Sequence, residues 1–291
     1  MFEGVMTALV TPFKNGRIDE PGLRLLVEDQ IDAGIHGLVP CGSTGESATL
    51  SHEEHRQVVE LVVDAANGRV PVVAGTGSNN TREAIELTQY AKEAGASAAL
   101  LISPYYNKPT QAGIVEHYAA VAKATALPLL VYNIAGRTGS NITAETQSEL
   151  ASIEYIVGVK EASGDIGQIS DVVRSCPADF AVLSGDDAMA LPLMAVGGKG
   201  VISTSSNVVP REMLEIVAAC NAGDYSRARE IHFRLTPIFE ALFCETNPIP
   251  VKAALAMQGK ISDEIRLPMT KITEAGAAHV RGALSDLGLL S

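Results

Sequence analysis

The sequence predicts an α/β chain folded as a (β/α)₈ barrel, the TIM-barrel architecture, with a C-terminal helical appendage. Three observations carry that prediction. Short apolar runs recur eight times through residue 204. Amphipathic helical stretches separate them. Beyond the eighth run the patterning is purely helical. Continuous runs rich in Val, Ile and Leu suit strands buried on both faces, as in a parallel sheet covered by helices. Strand-helix units repeated eight times close into a barrel of ~250 residues. A doubly wound open sheet competes, but no GxGxxG follows the first run.

The elements follow in order. GVMTALVTPF (4–13) is the first strand. A helix starts near Asp19, carries Leu23, Leu26, Val27 and Ile31 at helical spacing, and stops at Gly34. HGLVP (36–40) is the second strand. Ser51 with Glu54 three residues on reads as a capping box opening the next helix, and Gly68 stops it. PVVAG (71–75), a helix from Thr81 to about Gly95, and SAALLIS (97–103) follow. PLLVYN (128–133), IVGVKE (156–161), FAVLSG (180–185) and GVIST (200–204) supply strands five to eight. A helix over 208–221 completes the barrel, and helices near 224–243, 248–258 and 270–290 form the appendage. The expected division is a catalytic barrel over 1–223 and a helical region over 224–291.

Composition excludes several classes. Hydrophobic residues make up 46% of 291, enough for a large core. The net charge of −12 disfavours nucleic acid and anionic lipid as partners. The start MFEGVMTALVTPF lacks the basic residues and apolar length of a signal peptide, so a cytoplasmic protein is expected. Cys41, Cys176, Cys220 and Cys244 are scattered, which reads as reduced thiols rather than disulfides or a zinc site. HEEH at 52–55 is not HExxH, because its histidines are three apart, and a helix start is the simpler reading.

Barrel chemistry sits at the C-terminal ends of the strands. Lys160, within IVGVKE, is the most informative residue there. Burial disfavours the ammonium and yields the neutral amine a nucleophile needs. A salt-bridged lysine is the competing reading, but Glu161 alternates to the opposite face of the strand. Tyr132 and Ser43 can pass protons through their hydroxyls, though a core tyrosine is the commoner role. The GSTG turn with Ser43 and Thr44 could hold a carboxylate on its amides, or simply join strand to helix. Arg137 could bind a carboxylate from the rim, or stand solvated.

Together GVMTALVTPF, GSTGES, AGTGSN, PYYNKP, YNIAGRTG, VGVKEASGD, LSGDD, GVIS and ETNPIPVK resemble the dihydrodipicolinate synthase family of pyruvate-dependent class I aldolases, over nearly the whole chain. The resemblance implies that Lys160 forms an imine with pyruvate. Tyr132, Ser43 and Tyr106 would relay protons, with Tyr106 supplied by a neighbouring subunit. The turn at Ser43 and Thr44 would hold the pyruvate carboxylate through its backbone amides, Gly185 and Ile202 would line its pocket, and Arg137 would bind aspartate semialdehyde. Condensation would give 4-hydroxy-tetrahydrodipicolinate, the lysine and diaminopimelate precursor, without metal or organic cofactor. Feedback by L-lysine is implied at Ser47, Ala48, His52, His55, Asn79, Glu83 and Tyr105, and a homotetramer built as a dimer of dimers is expected. Ser43 stands where the family usually has threonine, and Ala135 where proline is usual. N-acetylneuraminate lyase or a keto-deoxy-sugar aldolase is the nearest rival, and Arg137 argues against it. A non-catalytic keto-acid-binding barrel is the rival from another class, and the retained lysine, tyrosine and hydroxyls argue against that.

Overall fold

The computed structural model describes residues 2–290. Barrel strands one to eight are Gly4–Ala8, Gly37–Val39, Val73–Gly75, Ala98–Ile102, Leu129–Asn133, Ile156–Glu161, Ala181–Ser184 and Gly200–Ser203. They are parallel, in the order two, one, eight, seven, six, five, four, three. The first strand pairs with the eighth, Gly4 opposite Gly200 through Thr7 opposite Ser203, which an open doubly wound sheet would not do. The remaining seam, between strands two and three, is closed by a single bridge from Leu38 to Val72. Two amides reinforce it: Leu38 N–H donates to the Pro71 carbonyl at 3.0 Å and Gly75 N–H to that of Pro40 at 2.9 Å.

Strand alternation divides the core. Met6, Ala8, Val39, Val73, Leu100, Leu130, Leu183 and Ile202 fill the barrel interior. Their neighbours Leu101, Leu129, Val131, Val159 and Val182 face outward and pack on Ile114, Tyr118 and Ile169 of the surrounding helices. Both strand faces are therefore buried, which is why these runs are continuously apolar.

Local signals place the helices. The helix Glu20–Ala33 begins at Asp19, whose carboxylate accepts from Gly22 N–H, and ends at Gly34 with φ 92°. The Ser51–Glu54 capping box opens His52–Ala66, with both reciprocal hydrogen bonds formed. Asn67 rather than Gly68 takes the left-handed cap of that helix, at φ 46°. Helices Pro210–Asn221, Tyr225–Ala241, Ile249–Met257 and Glu274–Asp286 close the chain. The last begins later than the pattern predicts because Thr273 caps it, accepting from Gly276 N–H. Among the described residues no helix is long and apolar enough to cross a membrane.

Two departures matter to the site. The first apolar run is a strand only to Ala8, and Phe13–Lys14 then pairs with Arg17–Ile18 as a small hairpin. Its turn is Asn15-Gly16, both at positive φ, as a two-residue hairpin requires. Arg137 lies on a helical turn, Ala135–Thr138, rather than in an open loop. Ala135 is the first residue of that turn, a position that also accepts proline, so alanine there leaves the turn intact.

Candidate active site

A cavity of about 490 Å³ opens at the C-terminal ends of the strands. Ser43, Tyr132, Arg137 and Asn247 line it, together with Ser47, Ala48, His52, His55, Glu83 and Tyr105. One space thus joins Ser43, Tyr132 and Arg137 with six of the seven residues singled out for inhibition, while Lys160 lies behind Tyr132 and is not part of its lining.

Lys160 projects into the barrel interior and is only 6% exposed. Its ammonium sits 4.3 Å from the centroid of the Tyr132 ring. No carboxylate pairs with it among the described residues. Glu161 does point outward, as alternation requires, and is held by Asn133, Gln147 and Gln168. Strands five and six set Tyr132 directly opposite Lys160. Gly185 packs against the lysine stem: a Cβ there would fall 3.0 Å from Lys160 Cε and 2.7 Å from Ala162 Cβ. Ile202 is buried in the same interior cluster.

The turn after strand two is held by its own backbone. Gly45 and Ser47 N–H donate to the Gly42 carbonyl, and Glu46 N–H to that of Ser43. The amides of Ser43 and Thr44 have no partner among the described residues, leaving two donors for an anion. Thr44 Oγ1 accepts from Asn247 Nδ2 at 2.9 Å and lies 3.4 Å from Thr204 Oγ1. Arg137 Nη2 donates to the Asn247 carbonyl at 2.9 Å. Asn247 therefore links the guanidinium to the turn that bears Ser43 and Thr44. Its own Oδ1 is buried without a partner.

The turn is anchored from below by a second buried lysine. Lys252 Nζ meets Glu46 Oε1 at 2.5 Å, and both side chains are buried. Arg266 N–H donates to the other Glu46 oxygen at 3.1 Å, while its guanidinium binds Glu54. The Phe13 ring lies 4.3 Å from Lys252 Nζ and 4.2 Å from the Arg266 guanidinium. Burial pushes the Lys252 ammonium below the ordinary lysine range, against the opposing pull of Glu46. The Arg266 hydrogen bond holds the Glu54 carboxyl below the usual carboxylate range. Asp187, in the SGDD motif, is buried and accepts from Thr204 N–H, Ser205 N–H and Ser205 Oγ; burial pushes its carboxyl up.

Elsewhere in the cavity His52 Nε2 lies 2.9 Å from Glu83 Oε1, and Ser78 Oγ donates to the other Glu83 oxygen. The serine bond, then His52, holds the Glu83 carboxyl low. His55 Nε2 is 2.7 Å from the Gly75 carbonyl, and burial lowers the imidazole's basicity. Asn79 Nδ2 donates to the Tyr105 carbonyl at 3.2 Å. Tyr106 is not brought to Tyr132 within the chain: it is 89% exposed, at φ 69°. Asn247, Lys252 and Arg266 were not singled out from the sequence. The first two lie in ETNPIPVK, where a polar residue and a lysine flank an otherwise apolar helix start; Arg266 had no such signal.

The chain matches the model of the "Dihydrodipicolinate synthetase family" over residues 1–287. It is 54% identical to a 4-hydroxy-tetrahydrodipicolinate synthase of Syntrophus aciditrophicus over 290 residues, covering 100% of both chains. A crystal structure of the chloride-inhibited dihydrodipicolinate synthase of Acinetobacter baumannii complexed with pyruvate superposes with a TM-score of 0.98 at 45% identity, covering 100% of each chain. The lysine-bound enzyme of Cyanidioschyzon merolae superposes with a TM-score of 0.97 at 43% identity, covering 99% of each.

Proposed function

The chain belongs to the dihydrodipicolinate synthetase family, and from that membership and the site's geometry we propose that it is a 4-hydroxy-tetrahydrodipicolinate synthase. It condenses pyruvate with L-aspartate 4-semialdehyde, the first supplying a nucleophilic carbon and the second an aldehyde. The observation that carries this reading is a buried lysine without a carboxylate partner, packed on a tyrosine that lines the cavity.

The neutral Lys160 amine attacks the pyruvate ketone, and the carbinolamine loses water to give an imine. The imine is the electron sink, so the pyruvate methyl loses a proton to form an enamine without a metal or organic cofactor. The enamine carbon attacks the aldehyde, and the aldehyde substrate's amino group then displaces Lys160 as the ring closes. Tyr132, Ser43 and Tyr106 carry the protons that these steps release and consume. The free amides of Ser43 and Thr44 hold the pyruvate carboxylate, while Gly185 and Ile202 leave room for its methyl. Arg137 receives the carboxylate of the aldehyde substrate.

The same reading makes the protein a cytoplasmic homotetramer, a dimer of dimers in which the exposed Tyr106 reaches a neighbouring subunit's site. It divides the chain into a catalytic barrel, 1–223, and a helical region, 224–291. L-lysine inhibits it through Ser47, Ala48, His52, His55, Asn79, Glu83 and Tyr105, the low-lying Glu83 carboxylate pairing with an amino group. Support comes from the shared cavity and from the lysine-bound relative.

The test is borohydride reduction with pyruvate, followed by peptide mapping, beside a coupled assay with aspartate semialdehyde. A reduced pyruvyl group on Lys160 and turnover in the assay are expected. Labelling of Lys108 or Lys199 instead, or turnover only with N-acetylneuraminate or keto-deoxy-gluconate, would overturn the reading. Rates unchanged by millimolar L-lysine, or inhibition unaltered in Glu83→Ala, would remove the regulatory part alone.

A further inference from the structure

We propose that Glu161, with Asn133, is a positioning residue for the imine-forming lysine, acting from the opposite face of the barrel wall. The proposal rests on the reading of Lys160 as the nucleophile. Strands five and six pair in register, Tyr132 with Lys160 and Asn133 with Glu161. Alternation sends the first pair inward and the second outward. Whatever fixes the outer pair therefore sets the spacing of the inner one.

The outer pair is fixed by an unusual arrangement. Glu161 is 1% exposed and has no cation within ion-pair distance among the described residues. A buried carboxylate without a cation is costly unless several donors satisfy it. Here five short contacts do so. Asn133 Nδ2 lies 3.2 Å from Oε1 and 3.0 Å from Oε2. Ser163 N–H donates to Oε1 at 2.7 Å. Gln147 Nε2 and Gln168 Nε2 reach Oε2 at 2.7 and 3.3 Å. Asn133 Oδ1 in turn accepts from Ile142 N–H at 2.9 Å.

These donors come from strand five, the helices Ala144–Leu150 and Ile166–Ser175, and the loop after strand six. All are neutral, and all point a hydrogen at one group. A carboxylate is the side chain that accepts everywhere and donates nowhere. Glutamine at this position would place its own NH₂ against the amides of Asn133 and Gln147. Two strand ends and two helices converge on this carboxylate, so the distance from Lys160 Nζ to the Tyr132 ring is held from behind. Reaction rates depend steeply on such distances, with ~1 Å of misplacement costing ~100-fold.

Time-resolved borohydride trapping with pyruvate separates positioning from mere support, because it yields both a rate and an endpoint. In folded Glu161→Gln, held well below its Tm, we expect full labelling of Lys160 at the endpoint, approached at least ~10-fold more slowly than in the wild type. A lowered endpoint approached at the wild-type rate would mean that the substitution only unfolds a fraction of molecules, and it overturns the proposal. So does an unchanged rate and endpoint. If Glu161→Gln does not accumulate folded, Gln147→Leu removes one donor only, and a slower rate at full endpoint is expected; an unchanged rate overturns the proposal. A wild type that never labels would instead overturn the reading of Lys160 itself.

Discussion

Lys160 and Lys252 are both buried, and each ammonium lies 4.3 Å from an aromatic ring, Tyr132 for one and Phe13 for the other. They differ in what else is near. Lys252 has Glu46 at 2.5 Å, and the pair ties the turn bearing Ser43 and Thr44 to the C-terminal helices. Lys160 has no such partner, and its strand neighbour Glu161 faces away. Glu46 engages the Lys252 amine in a buried ion pair and leaves it no freedom to meet a substrate. Lys160 has no ion-pair partner among the described residues, so its amine is open to a carbonyl. On the proposed function, the chain uses one residue type for two jobs, one lysine locked in an ion pair and one left without a carboxylate.

Four measurements break or sharpen that contrast. The largest effect is expected from Lys160→Ala. Turnover in the coupled assay should fall at least ~10³-fold. The Tm should hold or rise, since no buried partner is stranded. A large loss of Tm would place Lys160 with the structural lysines.

Lys252→Met should behave in the opposite way. It strands Glu46 as a buried charge, and chemical denaturation should show a loss of ~3–5 kcal/mol. Adding Glu46→Leu should recover most of that loss. A double variant as unstable as the single would mean that Lys252 matters by its shape, not its charge. Molecules that remain folded should still label Lys160 with pyruvate and borohydride.

Arg137→Ala removes a charged hydrogen-bond donor worth ~1.5–3 kcal/mol, so the KM for aspartate semialdehyde should rise ~10–100-fold. The rate of pyruvate trapping should be nearly untouched, because imine formation precedes aldehyde binding. Equal damage to both half-reactions would mean that the Arg137 bond to the Asn247 carbonyl is mainly scaffolding.

The smallest effect concerns the Arg266–Glu54 pair beneath Lys252. Arg266 holds the folded-state Glu54 carboxyl below its unfolded value of 4.5. The associated stability is present above that value and is lost as pH falls through the folded one. For this pair, whose side chains are 20% and 27% exposed, it amounts to ~1 kcal/mol. Glu54→Gln should remove this part of the acid slope in denaturation measured from pH 6 to about 3. An unchanged slope would show that Arg266 anchors the region through Phe13 and the Glu46 carboxylate instead.

The barrel was legible because each strand is buried on both faces, so eight apolar runs stood out between polar helices. The unpaired, inward placement of Lys160 was legible because Glu161, its neighbour in IVGVKE, alternates to the other face of the strand. The Phe13–Ile18 hairpin was not, although Asn15-Gly16 signals it, because two-residue strands carry no alternation to read. The roles of Lys252, Arg266 and Asn247 depend on a hairpin, a turn and a helix meeting across some two hundred residues, and local pattern holds no trace of such meetings. The outward Glu161 was placed correctly by alternation, yet the amides gathered around it could only be seen in the fold.

The seam between strands two and three also has a mechanical meaning. Every other pair of neighbouring strands shares at least two register pairs, but this one has the Leu38–Val72 bridge and little more. The cavity straddles it, with Cys41 and Gly42 from one bank and Gly75 and Gly77 from the other. His55 already crosses the gap, its ring on the Gly75 carbonyl and its own carbonyl accepting from Cys41 Sγ. A small molecule lodged there would act as a second rivet across the barrel's least-stitched stave. Its arrival would be written in the amide hydrogens of Leu38 and Gly75, which would exchange with solvent more slowly once the gap was pinned.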